Sequence, residues 1–238
     1  MFSQFFDFFP LQEDAPLQYL FRPAQDTPEG GSPMLFLLHG LGSNEEDLFA
    51  FSEYIDSHCA VVSLRAPHQY HLGGYTWFDV VITQGDFQVN LDEVDVNLNK
   101  LFKCIYELIE KYSGDKQRIF IGGFSQGAVM ALLAGMNEPQ TFAGVLSLSG
   151  RLNPDMKDFF AEPSRFTNFP IFMQHGIYDT TIPIEAGRNT RDMLKTYSTD
   201  LAYHEYEMGH EVTSESLTDM LAWLNNKLTT ADESEIDR

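Results

Sequence analysis

Three residues whose types could together carry out nucleophilic acyl transfer follow one another along the chain: Ser125, Asp179 and His210. Ser125 lies in Gly123-Phe124-Ser125-Gln126-Gly127, between two close glycines and flanked by apolar runs. A serine hydroxyl is a weak nucleophile. It attacks an acyl carbon when a general base takes its proton and an acid orients that base. The G-x-S-x-G pattern alone decides little. With Gly and Ser each near ~7% of residues, a chain of 238 residues holds it by chance about 0.08 times. The elements that would position the three side chains carry the argument.

Short apolar runs alternate with helical patterns. Residues 34–39, 59–66, 118–124, 143–150, 170–176 and 201–207 read as strands, and several are apolar enough to be buried on both faces of a parallel sheet. Residues 17–21 read as an antiparallel edge strand. Between the strands lie helices. Ser43 and Glu46 form a capping-box pattern opening a helix through about Ile55. Leu91, Val94, Leu98, Leu101, Ile105 and Leu108 recur at spacings of three and four behind Asn90 as N-cap. Residues 125–135 are apolar nearly all round, and 184–197 and 213–228 complete the set. Repeated strand–helix units imply a doubly wound, mostly parallel α/β sheet with helices on both faces. No repeat or low-complexity linker divides the chain. The expected organisation is one domain over 1–238, with an arm over 1–16 and an acidic tail over 230–238.

Ligands of such sheets bind beyond the C-terminal strand ends, so each candidate can be tested by its place. Ser125 follows a strand directly and opens the next helix, a tight turn that exposes Oγ and needs small neighbours. Asp179 sits three residues beyond the strand 170–176, and His210 falls between the last strand and the last helix. Both follow the serine, acid before histidine. Asp155, after the preceding strand, is the alternative acid. Of the other histidines, His39 belongs to a separate motif, His58, His68 and His71 precede the serine, His175 is too close to Asp179, and His204 lies within a strand. Acyl transfer also needs backbone donors for an oxyanion. The amide of Gln126 and the amide of Leu41, in His39-Gly40-Leu41-Gly42 after the first long strand, are the expected pair. The same glycines would also suit a simple turn into a capped helix.

Composition excludes several function classes. The net charge of −20, from 35 acidic and 15 basic residues, repels phosphate backbones and anionic membrane surfaces, so neither nucleic acid nor stable membrane association is expected. No stretch approaches the ~20 apolar residues of a membrane span. Phe-rich residues 1–12 lack a basic start and are interrupted by Asp7 and Pro10, which makes a poor secretion signal. Cys59 and Cys104 give neither a disulfide framework nor a metal cluster, and buried thiols in a reducing cytoplasm are expected.

Together "HGLGSNEEDL", "RAP…GGYTWFD", "GFSQGA", "SGRL", "HGIYDTTIP" and "YEMGHEV" resemble the phospholipase/carboxylesterase branch of the α/β-hydrolases, which includes the acyl-protein thioesterases. The resemblance runs from about Leu35 to the last helix. It implies an α/β-hydrolase fold with a minimal lid, Ser125, Asp179 and His210 as catalytic triad, and Leu41 and Gln126 as oxyanion donors. It also implies no metal or organic cofactor, acyl ester or thioester substrates, and the homodimer often found in such enzymes. One departure is Thr180, where family members frequently carry Pro after the acid. The Phe-rich N-terminus has no counterpart that the resemblance explains.

Residues 67–89 form a longer connection than packing requires. Leu72, Tyr75, Trp77 and Phe78 in it, with Ile182 beside Asp179, are the expected substrate-binding residues, although Trp77 and Phe78 could equally anchor the segment in the core. No large insertion follows the strand 143–150, so the site should be open and favour short acyl chains. The expected enzyme is a cytoplasmic serine carboxylesterase for short- to medium-chain esters, with thioesters as a further substrate class. Its rate should fall at pH values below about 6.5, where a free imidazole is protonated. Alternatives are a lysophospholipase, acyl-protein thioesterase or peptidase on the same residues, or a ligand-binding protein without catalysis.

Overall fold

A computed structural model of the chain describes residues 8–83, 86–197 and 199–236. Strands β1 (Tyr19–Arg22), β2 (Ser32–Leu38), β3 (Ala60–Leu64), β8 (Gly114–Phe124), β9 (Gly144–Leu148), β10 (Pro170–Gly176) and β11 (Asp200–Tyr206) form a seven-stranded sheet in the order β1-β3-β2-β8-β9-β10-β11. Only β1 runs antiparallel, paired with β3; the other pairs are parallel. Strand alternation sorts the apolar residues into two layers. Met34, Phe36 and Leu38 of β2 pack on the layer that holds α2 (Leu91–Lys111), α3 (Gln126–Asn137) and Leu194 of α4 (Ile184–Lys195). Leu35 and Leu37 pack on the opposite layer with α1 (Glu46–Phe49) and α5 (Ser214–Ile236). Both faces are thereby covered, which is why these strands read as continuous apolar runs.

Three details depart from the expectations. Ser43 and Glu46 do not form a capping box. Ser43 Oγ donates to the Asp47 carboxylate, and Asn44 Oδ1 accepts from Glu46 N instead. The helix is then only one turn long before it tightens into a 3₁₀ turn over Ala50–Glu53. Residues 67–89 are no plain loop. They hold two antiparallel ribbons, β4 (His68–Gln69) with β5 (Tyr75–Thr76) and β6 (Val80–Thr83) with β7 (Asp86–Val89). Residues 230–236, expected as a tail, continue α5, since each residue added to a formed helix gains a bond without a new nucleation cost; 237–238 lie outside the described residues.

Residues 1–7 of the expected arm also lie outside the described residues. Of the remainder, Phe9 meets Phe49 edge-on at 5.3 Å, and Gln12 bridges to Tyr19. The Asn90 side chain accepts from Glu93 N and caps α2 as its sequence suggested. Among the described residues, no helix is long and apolar enough to cross a membrane.

β8 lies at the middle of the sheet, and Ile121 at its centre is fully buried between Phe36 and Val145. Ile121→Ala should cost about 2–5 kcal/mol, through lost transfer energy and the cavity left behind. Urea denaturation should show the midpoint fall with unchanged slope; a loss below about 1 kcal/mol would contradict the assigned packing.

Candidate active site

The sheet changes direction of winding between β2 and β8. From β2 the chain proceeds outward through β3, and from β8 it proceeds the other way through β9, β10 and β11. The crevice at such a switch point is where open α/β sheets bind ligands. Leu38 pairs with Gly123, so the loops leaving the two strands emerge side by side.

Ser125 alone separates β8 from α3, and it does so at φ 54° and ψ −115°. A positive φ is unfavourable for a residue with a Cβ and costs on the order of 1–3 kcal/mol where it persists. Two glycines make the turn possible. A Cβ on Gly123 would overlap the carbonyl of Gly127, and one on Gly127 would overlap the carbonyl of Leu38. The Ser125 amide donates to Leu148 O at 2.8 Å, which ties the turn to β9.

The turn brings Ser125 Oγ to 2.9 Å from His210 Nε2, and His210 Nδ1 lies 2.6 Å from Asp179 Oδ2. The other Asp179 oxygen accepts from the amides of Thr181 and Ile182 at 2.9 and 2.8 Å. With both oxygens serving as acceptors, Nδ1 of His210 carries a hydrogen, and Nε2 presents its lone pair to the serine. The Asp179 side chain is fully buried, whereas His210 keeps 18% exposure. Asp155, the alternative acid, is exposed in a 3₁₀ turn over Pro154–Phe159 and lies outside the cavity that holds Ser125 and His210.

Gly40, Leu41, Ser125, Gln126 and His210 share a cavity of about 500 Å³. As the first residue of α3, Gln126 has no carbonyl one turn back to receive its N–H, and the positive end of the helix lies there. Of the expected substrate-binding residues, Phe78 and Ile182 line this cavity; Leu72, Tyr75 and Trp77 do not. Leu72 is 77% exposed on a turn. The Tyr75 ring lies under the Arg65 guanidinium. Trp77 is turned inward and fully buried, with its indole N–H donated to His39 O. The rest of the apolar wall comes from Val80, Val89, Phe124, Val129 and Met156. Phe124 adjoins Ser125 and Val80 pairs with Val89 across the β6–β7 ribbon, but that they wall one cavity with Val129 and Met156 follows only from long-range folding.

Two further histidines support the site without lining its cavity. His39 Nε2 accepts from Ala66 N at 3.0 Å, so its Nδ1 carries the hydrogen donated to Gly40 O at 2.7 Å. His175 Nε2 donates to Ile182 O at 2.8 Å and stands 3.5 Å from Asp179 Oδ2. Burial holds both imidazoles below the ordinary histidine pKa. Burial also pushes the Cys59 and Cys104 thiols up to about 12, so neither is a thiolate at neutral pH. Among the described residues no cluster of metal-ligating side chains occurs.

Residues 26–228 match the profile of the phospholipase/carboxylesterase family. The chain belongs to this family. It is thus an enzyme of the hydrolase class with the α/β-hydrolase fold. Within the reach of that family, the acyl-protein thioesterase 1 of Gibberella zeae is 32% identical over 159 residues, 64% of this chain and 68% of that protein. The acyl-protein thioesterase 1 of Saccharomyces cerevisiae is 27% identical over 227 residues, 87% of this chain and 95% of that one. The crystal structure of the Bacillus cereus carboxylesterase superposes with a TM-score of 0.77 at 21% identity, covering 94% of this chain and 99% of the other.

The buried neutral histidines make stability depend on pH. In the unfolded chain His39 and His175 bind protons below about 6.5, whereas the native state resists protonation there. Their contribution is complete above that pH and is lost as pH falls toward the lowered native values. The urea midpoint should therefore drop between pH 7.5 and pH 5.5, before most carboxylates titrate; an unchanged midpoint would contradict this assignment.

Proposed function

We propose that the protein is a cytoplasmic serine hydrolase that cleaves short- to medium-chain acyl esters, and thioesters by the same route, through an acyl-enzyme. The observation that carries the reading is the continuous relay from Ser125 Oγ through His210 to Asp179, at 2.9 and 2.6 Å. Attack by Oγ on the acyl carbon forms a C–O bond, while His210 Nε2 takes the serine proton. The carbonyl π pair moves to oxygen, and the amides of Leu41 and Gln126 hold that charge. Collapse breaks the bond to the leaving alcohol or thiol, which receives the proton from His210. Water then attacks the acyl-serine with His210 again as base, releasing the acid and restoring Ser125. Asp179 holds the imidazole tautomer and stabilises the imidazolium throughout.

The cavity supports medium acyl chains as well as short ones. The cleft of about 500 Å³, walled in part by Phe78, Val80, Val89, Val129 and Met156, has room for an acyl chain longer than acetyl. The likeness to the Gibberella zeae and Saccharomyces cerevisiae proteins favours acyl-protein thioesterase as the second reading, with lysophospholipase a third on the same residues. A second copy of the chain is the proposed partner, and the cytoplasm, where two reduced thiols persist, is the proposed compartment.

Ser125→Ala should reduce hydrolysis of p-nitrophenyl butyrate by at least about 10³-fold, since one member of a triad removes most of the rate. Activity at the wild-type level in that variant would overturn the assignment. Comparing acyl lengths and leaving groups in the wild type then separates ester, thioester and lysolipid substrates.

A further inference from the structure

We propose that Trp77 is a positioning residue that braces the two loops supplying the oxyanion amides, so that one buried side chain sets their relative orientation. The inference rests on the proposed roles of the Leu41 and Gln126 amides. Trp77 is fully buried, and a buried indole needs a partner for its N–H. It donates Nε1–H to His39 O at 2.9 Å, at the root of the loop that carries Leu41. Its own backbone N–H donates at 2.9 Å to the side chain of Gln126, which carries the other amide. Its carbonyl accepts from Asn97 Nδ2 at 2.7 Å, which anchors the brace to α2.

Gln126 is committed to this brace and not to substrate. Its side-chain oxygen accepts from Trp77 N and, at 3.1 Å, from Thr76 Oγ1, while Nε2 donates to Phe78 O at 2.7 Å. A side chain held at both ends fixes its own Cα, and with it the direction of the Gln126 amide. On the other loop the restraint passes through two successive peptides. The indole holds His39 O, and His39 Nδ1–H holds Gly40 O. Gly40 O and Leu41 N–H are opposite edges of one trans peptide, so fixing the carbonyl aims the amide. Tyr75 adds a third tie: its carbonyl accepts from Gly42 N at 2.9 Å, and its amide donates to Ser43 O at 2.8 Å. Residues 75–78 are therefore a strap across both loops. Gly127, packed on the Leu38 and His39 carbonyls, sets the spacing of the loops; the strap sets their rotation.

Oxyanion donors act only when aimed, and removing one costs about 10²–10³ in kcat. Loosening the brace should therefore lower kcat at constant KM, because ground-state binding uses the cavity wall and not the two amides. Trp77→Phe keeps an aromatic ring and removes the indole N–H. Active sites are counted with a fluorophosphonate, and p-nitrophenyl butyrate kinetics are expressed per labelled site. We expect kcat per site to fall tenfold or more with KM within twofold, and affinity for butylboronic acid, which forms a tetrahedral anionic adduct, to weaken in step. A residue needed only for folding would lower the number of labelled sites and leave the rate per site unchanged; a kcat per site within twofold of wild type overturns the proposal. Should Trp77→Phe fail to fold, Asn97→Leu decides by the same readout, since it removes the anchor on the Trp77 carbonyl without adding charge or altering a cavity-lining side chain. Full activity in Ser125→Ala would sink the underlying reading instead, whereas an inactive Ser125→Ala with an unaffected rate per site in Trp77→Phe would sink the brace alone.

Discussion

Gly127 has no room for a Cβ because the carbonyls of Leu38 and His39 occupy that space. This close approach brings the first turn of α3 directly against the end of β2, at the point where the sheet reverses its winding. Everything in the site depends on it. The strained Ser125 turn is tolerated because β8, β9 and α3 hold both its ends. Leu41 and Gln126, from distant parts of the sequence, come to line one cavity, and the cavity opens at the strand ends where the fold leaves space. The strain, on the order of 1–3 kcal/mol, is small beside the burial of the central strands.

Around that junction the electrostatics are arranged by burial and hydrogen bonding. Asp179 lies in a buried position yet has three donors directed at its carboxylate, two backbone amides and His210, with His175 3.5 Å away. A buried carboxylate is costly without such partners. Its commitment to the Nδ1 side of His210 leaves Nε2 for the serine, so the direction of proton transfer is set before a substrate arrives. His39 and His175 remain neutral and serve as fixed donors, one toward each loop that shapes the site. Histidines close to a reacting group thus differ in function through partners and exposure together: His210 meets Ser125 and reaches solvent, whereas these two bond backbone groups and are sealed.

Much of this was legible in the sequence where the signal is local. The buried parallel strands announce themselves as apolar runs, and β10 runs over Pro170–Gly176, the residues its sequence marks. Ser125, Asp179 and His210 could be named because each follows a strand end, and the structure brings the three side chains together. The errors share a cause. Ser43 was read as a cap from spacing, but Asn44 competed for the same amide. Leu72, Tyr75 and Trp77 were assigned to substrate from apolar content, which does not say whether a side chain faces a cavity, the core or solvent; for Trp77 the core alternative holds. Trp77 turns inward to satisfy its indole N–H, a long-range partner no window of sequence contains. Val129 and Met156 of the cavity wall come from elements that meet only after folding.

The central claim is that Ser125 becomes covalently acylated during turnover. The direct measurement is peptide mass spectrometry after rapid acid quench of the enzyme mixed with excess p-nitrophenyl butyrate. The account predicts a butyryl group on the peptide that contains Ser125, with fragment ions placing it on that serine. A quenched enzyme that turns over substrate yet carries no acyl group on Ser125, or carries it reproducibly on another side chain, would contradict it.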